Sequence, residues 1–226
     1  MDFRSHFVYW MLPGAVILVL LGMYFSDVPW LMEILAPRIN RELGLLENLQ
    51  NAVLVALIAM MAIRVRRSRQ ALEYGFFGLI GAASVFFLLE DLDYGTHFWW
   101  ALHGLDWDTR PVLNIHNQGE NSDRFKFVGN LLLGVFFVLL PWLRFPPRRV
   151  WLRFLQPNRR FLLSMLAMVL LSRLAHYLEE TVPPEPNYLD NSISEYRELF
   201  TYYVWALYFG ILAFRREWPG GEAAAG

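Results

Sequence analysis

The 226-residue chain has no cysteine. That absence excludes disulfides, thiolate metal sites and cysteine nucleophiles. It is poor in charge: 18% of its residues are charged and the net charge is -1, so no overall field points to nucleic acid. It has no H-E-x-x-H, no G-x-S-x-G, no phosphate loop and no dinucleotide fingerprint. Small hydroxyls such as Ser84 and Ser172 lie in apolar runs, where they read as packing residues rather than nucleophiles. No small-residue cleavage site follows the first apolar run, which reads as a retained span and not a removed signal peptide. The second residue is Asp2, where myristoylation needs glycine, and there is no C-terminal cysteine motif.

What is abundant is apolar surface: 56% of residues are hydrophobic and 16% aromatic. Several runs reach the roughly 17–25 residues that cross about 30 Å of hydrocarbon. The pattern predicts an all-α, six-helix transmembrane bundle in one domain over 1–216, with spans at about 8–25, 46–63, 73–92, 127–143, 161–178 and 197–214. Residues 217–226, ending GGEAAAG, read as a disordered tail. Pro141 falls in the last turn of the short fourth span, where a kink costs least.

The arginines are sided. Arg64, Arg66, Arg67 and Arg69 follow span 2; Arg144, Arg148, Arg149, Arg153, Arg159 and Arg160 follow span 4; Arg215 and Arg216 follow span 6; Arg4 precedes span 1. With six spans all of these share one side, which the positive-inside rule places in the cytoplasm together with both termini. Of the 21 acids, all but Asp2, Glu73, Glu217 and Glu222 fall on the other side or at the outer span ends. Trp10, Trp30, Trp99, Trp100, Trp142, Trp151, Tyr202 and Tyr203 cluster near the span ends and read as an interfacial aromatic belt.

The stretch LLEDLDYGTHFWW puts Glu90, Asp91, Asp93 and His97 at the end of an apolar span. Glu90, Asp93 and His97 are spaced three and four apart and share a face if the helix continues. Glu47, Asn48 and Gln50 open span 2. Arg173, His176 and Glu180 repeat the three-and-four spacing near the end of span 5, with Glu179 adjacent, and Glu195 and Glu198 open span 6. Ser192 to Glu195 also fits a capping box. The loop NIHNQGEN brings Asn114, His116, Asn117, Gln118, Glu120 and Asn121, and reads as a folded-back cap over the helix ends. Asp106, Asp108, Asp123, Glu185 and Asp190 read as solvated surface charge.

An arginine about a turn inside a helix end costs about 2.5–3.5 kcal/mol on insertion scales, so Arg173 is expected to pair with Glu90, Glu47 or Glu180, or else to snorkel to the headgroups. For metal, His176 and Glu180 at i, i+4 form one candidate face, and Glu90 and His97, with Asp93, form another. The mixed imidazole and carboxylate donors suit zinc, manganese or iron.

The order of these elements resembles a family of uncharacterised bacterial multi-pass membrane proteins. That family carries a glutamate early in its second span, an E-E-[IL]-S-W-G-Q-like segment ending the third, an H-N-x-Q-G-E-x-N-like loop, and a glutamate opening the last. The counterparts are Glu47, the run EDLDYG from Glu90 to Gly95, HNQGEN from His116 to Asn121, and Glu195. Asp93 and Tyr94 stand where the family has Ser-Trp, and His97 is additional. The resemblance implies a bacterial inner-membrane location and a polar site on the outer face.

Three functions compete at this stage. One is a metal-assisted hydrolase or transferase on a lipid or lipid-linked substrate, with His176, Glu180, Glu90, Asp93 and His116 as ligands or acid–base groups and Arg173 positioning a carboxylate or an anionic headgroup. Another is a non-enzymatic scaffold or accessory subunit that binds a membrane-protein partner or a second copy of itself. The third is a small ion or proton-coupled transporter, which should leave polar groups at several depths rather than at one end.

Overall fold

A computed structural model describes residues 6–37, 43–105, 121–146, 148–182, 194–215 and 218. Every regular element among the described residues is helical. Helix α1 spans Phe7–Tyr24, α2 Pro29–Leu35, α3 Leu45–Arg67, α4 Ala71–Asp91, α5 Thr96–His103 and α6 Asn121–Leu133. Helix α6 runs on through a π-helical stretch, Gly134–Leu139, and a 3₁₀ turn, Leu140–Trp142. Then come α7, Val150–Leu155, α8, Phe161–Thr181, and α9, Ser194–Phe214.

Each of the six expected spans coincides with a helix. Four of these, α1, α3, α4 and α8, are long and apolar enough to cross a membrane. The apolar part of α6, Phe127–Trp142, is shorter. Helix α9 has the length, but its first turns carry Glu195, Arg197 and Glu198, and Tyr202, Tyr203, Trp205 and Tyr208 dilute its apolar character further. Leu79, Val55, Leu166, Val169 and Leu170 are all more than half exposed on the middle turns of their helices. A water-facing protein rarely leaves contiguous apolar surface of that kind, and lipid is the solvent that suits it.

Helices α3 and α4 form an antiparallel hairpin joined by Ser68, Arg69 and Gln70, and α9 packs along another side of α3. Close approach is sterically set: a Cβ on Gly81 would meet Met61 Cβ at 3.3 Å, and one on Gly210 would meet Met60 Sδ at 3.0 Å. Small residues at such contacts let membrane helices exploit dispersion where no hydrophobic force drives them together. Helix α8 packs on α9, α1 and the π-helical extension of α6. Their junction is aromatic: the Phe137 ring lies 4.9 Å from both Phe161 and Trp205 and 5.4 Å from Tyr208, mostly tilted or edge-on. Each such pair contributes about 0.5–1.5 kcal/mol beyond area burial.

Helix α1 starts with a π-helical stretch, Phe7–Met11, because Pro13 interrupts the backbone ladder. Pro13 has no N–H to give the carbonyls four and five residues back. Both are met from other helices: Ser164 Oγ donates to Tyr9 O at 2.7 Å, and the Tyr203 hydroxyl donates to Val8 O at 2.6 Å. A side chain from α8 and one from α9 thus complete α1, as bilayer burial demands of every backbone group.

The arginine-rich segments gather at one end. Arg64 pairs with Glu73 across the α3–α4 turn. Arg215 Nη1 donates to Phe154 O at 2.7 Å, and the Tyr208 hydroxyl donates to Leu155 O at 2.6 Å, holding α7 against the end of α9. Trp218, which the sequence assigns to the tail, is buried, with ring centroids 4.7–5.9 Å from Trp151, Phe154, Phe76 and Phe77. Residues 219–226 lie outside the described residues.

Candidate functional site

The acids of interest sit at the opposite end, where α3 and α9 begin and α4 stops. Helix α4 does not continue through Asp93, as a shared Glu90–Asp93–His97 face would require. It ends at Asp91, and Asp93 (φ 45°), Tyr94 (φ 56°) and Gly95 (φ 86°) follow in left-handed conformation before α5 begins. Two non-glycine residues there cost about 1–2 kcal/mol each, and strain of this kind is held only where surroundings fix it.

The fixing contacts are visible. Asp93 is fully buried, and the Thr96 hydroxyl lies 3.0 Å from both its carbonyl and its Oδ2. The Tyr94 hydroxyl turns back and donates to Glu90 Oε1. That bond to a carboxylate is the main reason the Tyr94 phenol is pushed above its ordinary pKa, helped by desolvation and by the negative charges of Glu90 and Asp93. Glu90 itself is 3% exposed.

Helix α9 supplies the other half. The Tyr202 hydroxyl lies 2.7 Å from Glu198 Oε1, one turn earlier, and 3.1 Å from Asp91 Oδ1 on α4. Gln50, 1% exposed on the first turns of α3, directs Nε2 to Glu195 O at 3.1 Å and to Glu195 Oε2 at 3.2 Å. Carboxylates from α4 and α9, two phenols and one amide therefore tie three helix ends together.

The residues expected from the sequence divide into three groups. Glu90 and Asp93 are buried at this end. Arg173, His176 and Glu180 lie on the exposed side of α8, and His176 Nδ1 is 3.7 Å from Glu179 Oε2. Arg173 there shares a face with exposed Val169 and Leu170, a position from which a long side chain reaches the headgroup level. His116 and Ser192 lie outside the described residues, and nothing is described of the His97 side chain. Among the described residues no three of His, Asp and Glu group closely enough to hold a metal ion.

From the sequence alone Tyr202 belongs to the aromatic belt and Tyr94 has no role. A signal was present: Glu90–Tyr94 and Glu198–Tyr202 are both E-x-x-x-Y pairs, the spacing that lets a phenol reach a carboxylate one turn away. Gln50 is visibly polar in the sequence, but spacing does not reveal its partner on α9. No protein-family model, curated protein or solved structure matches the chain.

Proposed function

We propose that the chain is a six-span protein of a bacterial inner membrane with both termini on the cytoplasmic side. Its acid-rich end is an acid–base site at the outer leaflet, acting as a hydrolase or transferase on a lipid or lipid-linked substrate. The observation that carries this reading is the hydroxyl of Tyr202 between Asp91 and Glu198. A phenol has one proton and cannot fully serve two ionised carboxylates. The hydroxyl shares its one proton between both, which sets an exchangeable proton between two carboxyl groups. A group that holds an exchangeable proton beside an ionised partner is what general acid–base catalysis uses. Glu90, buried in the last turn of α4, adds a third carboxyl group, oriented by Tyr94.

In this reading Glu198 and Asp91 pass a proton to and from the reacting group, Asp93 fixes the turn, and Arg173 reaches an anionic group at the headgroup level. A divalent metal, with His176, Glu180, Glu90 or His97 among its donors, would act as a Lewis acid. Metal content of the detergent-purified chain, beside a His176→Ala, Glu180→Ala variant, tests that part separately.

The site is tested by reconstituting the full chain in vesicles of phosphatidylglycerol and phosphatidylethanolamine and following lipid products by mass spectrometry. A product that falls by about 100-fold or more in Glu198→Gln supports the reading. No product, or one indifferent to Glu198→Gln and Glu90→Gln, overturns it.

A second reading is favoured by the Gln50 bond to Glu195, which ties α3 to α9 and carries no chemistry of its own. The polar end would then be interhelical glue in a scaffold or accessory subunit that assembles with a partner or with a second copy. The mass of the detergent-solubilised particle discriminates, since a monomer removes the second copy as the occupant.

A further inference from the structure

The arginine-rich end has its own unassigned site. From Arg124 to Leu178 the chain contains no Asp or Glu, yet it carries Arg144, Arg148, Arg149, Arg153, Arg159 and Arg160 between α6 and α8. A pocket of about 460 Å³ opens there, between the end of α6 and the segment that follows α7. Arg144, Arg153 and Arg159 line it together with Asn158 and Gln156.

The pocket has a fixed frame. Gln156 Nε2 donates to Leu140 O at 2.9 Å and to Leu143 O at 2.8 Å, which pins the 3₁₀ end of α6 to the segment after α7. Both carbonyls lie at the helix end, where few backbone donors follow; Leu140 O also accepts the Leu143 N–H at 3.2 Å. Arg159 is held over the Trp142 ring at 4.6 Å, with Nε 3.4 Å from Pro141 O. The guanidinium groups of Arg144 and Arg153, both exposed, have no hydrogen-bond or ion-pair partner among the described residues.

Three guanidinium groups around one concavity repel one another, and their planar forks match phosphate oxygens bidentately. The exposed Trp142 ring beside them is the kind of residue that sits at headgroup depth. Basic pockets between helix ends on this side of a membrane take anionic headgroups. We propose that this pocket binds a phosphate group, presented by an anionic phospholipid headgroup or by free phosphate. The inference does not depend on the acid-rich end being catalytic.

The test uses the full chain in detergent, titrated with phosphatidylglycerol, phosphatidylcholine or inorganic phosphate, and followed by native mass spectrometry and thermal unfolding. Phosphatidylglycerol is expected to bind and raise the unfolding midpoint, and phosphatidylcholine not to. Arg144→Gln and Arg153→Gln, each at an exposed position that need not disturb folding, should each weaken binding about tenfold, the size expected for losing a charged hydrogen bond. Arg66→Gln with Arg67→Gln, basic positions outside the pocket, should leave it intact. An equal effect of inorganic phosphate would assign the pocket to the free anion, and an effect of the lipid alone would assign it to the headgroup. Absence of binding by both anions overturns the proposal. So does binding that survives Arg144→Gln and Arg153→Gln, or that falls equally in the Arg66→Gln, Arg67→Gln chain.

Discussion

Ser164 on α8 donates its hydroxyl to the carbonyl of Tyr9 on α1, at 2.7 Å, both groups lying inside the bundle. Pro13, four residues after Tyr9, is the cause: a residue with an N–H there would satisfy the carbonyl within α1. Ser164→Ala should leave a buried acceptor unmet and lower stability by about 1–3 kcal/mol. Pro13→Ala supplies the missing donor, so Ser164→Ala should cost less in that background. Unfolding midpoints of the four chains in a double-mutant cycle measure the coupling, and additivity would show that proline and serine are not linked.

Arg64 and Glu73 form an ion pair across the α3–α4 turn, and both side chains are largely buried. The Arg64 guanidinium also lies 5.4 Å from the centre of the Phe77 ring. Removing one partner leaves a charge without compensation in a low dielectric. Glu73→Gln is therefore expected to destabilise by about 3–5 kcal/mol, whereas replacing both by apolar residues of similar volume should cost far less. Denaturant titration of the single and double variants checks the ordering.

Positive φ at Asp93, Tyr94 and Gly95 is what ends α4 and turns the chain into α5. A Cβ at position 95 meets no other atom, so the penalty for Gly95→Ala is conformational rather than steric. About 1 kcal/mol of lost stability is expected. Gly78→Ala is the comparison: it lies within α4, also with open space for a Cβ, and should gain helix propensity instead. Equal effects of the two substitutions would mean that the left-handed turn is not maintained in solution.

The helices were legible from the apolar runs because a bilayer enforces length and composition together, and Val8–Phe25 or Phe161–Leu178 needed no tertiary information. The burial of Glu90 and Asp93 was legible for the same reason: carboxylates at that depth need partners. The left-handed break was not. Asp-Tyr-Gly is compatible with continued helix up to its glycine, and only the contacts of Thr96 and Tyr94 decide for the turn. Arg173 shows the same limit of spacing. Its place in the sequence leaves a buried ion pair and a snorkelling side chain both open, and the side of α8 that carries it faces outward, which spacing alone does not reveal when apolar residues surround the helix on every side.

The Tyr94 phenol gives a pH signature. Its pKa is raised, chiefly because Glu90 accepts its proton in a hydrogen bond. The folded state thus holds that proton more tightly than the unfolded chain. The associated stability is fully present below the ordinary tyrosine pKa of about 10 and is lost as pH rises through the higher folded value. Alkaline titration of phenolate absorbance should lose one late-ionising component in Tyr94→Phe. In Glu90→Gln that phenol should ionise earlier, since a neutral amide neither repels the phenolate nor holds the proton as firmly. An unchanged titration in both variants would show that the bond between Tyr94 and Glu90 is not made in the folded protein.

Tyr202→Phe addresses the proposed chemistry most directly. The substitution keeps the ring and its packing but removes the hydroxyl that bonds to both Asp91 and Glu198. Without the phenol the two carboxyls lose their shared donor. If the trio serves only to join α4 and α9, Tyr202→Phe and Glu198→Gln should each lower stability by about 1–3 kcal/mol, and lipid turnover by the surviving folded protein should be unchanged. If the trio stores a working proton, turnover should fall in both, and its pH profile should shift in Tyr202→Phe while the limiting rate in Glu198→Gln stays low at every pH. Glu195→Gln is the internal control. It also sits at the start of α9 and meets Gln50, but it is not bonded to Tyr202, so it should alter stability and leave the pH profile in place. A profile that moves equally in Glu195→Gln and Tyr202→Phe would locate the titrating group outside the Asp91–Tyr202–Glu198 contact and remove the basis for assigning acid–base work to it.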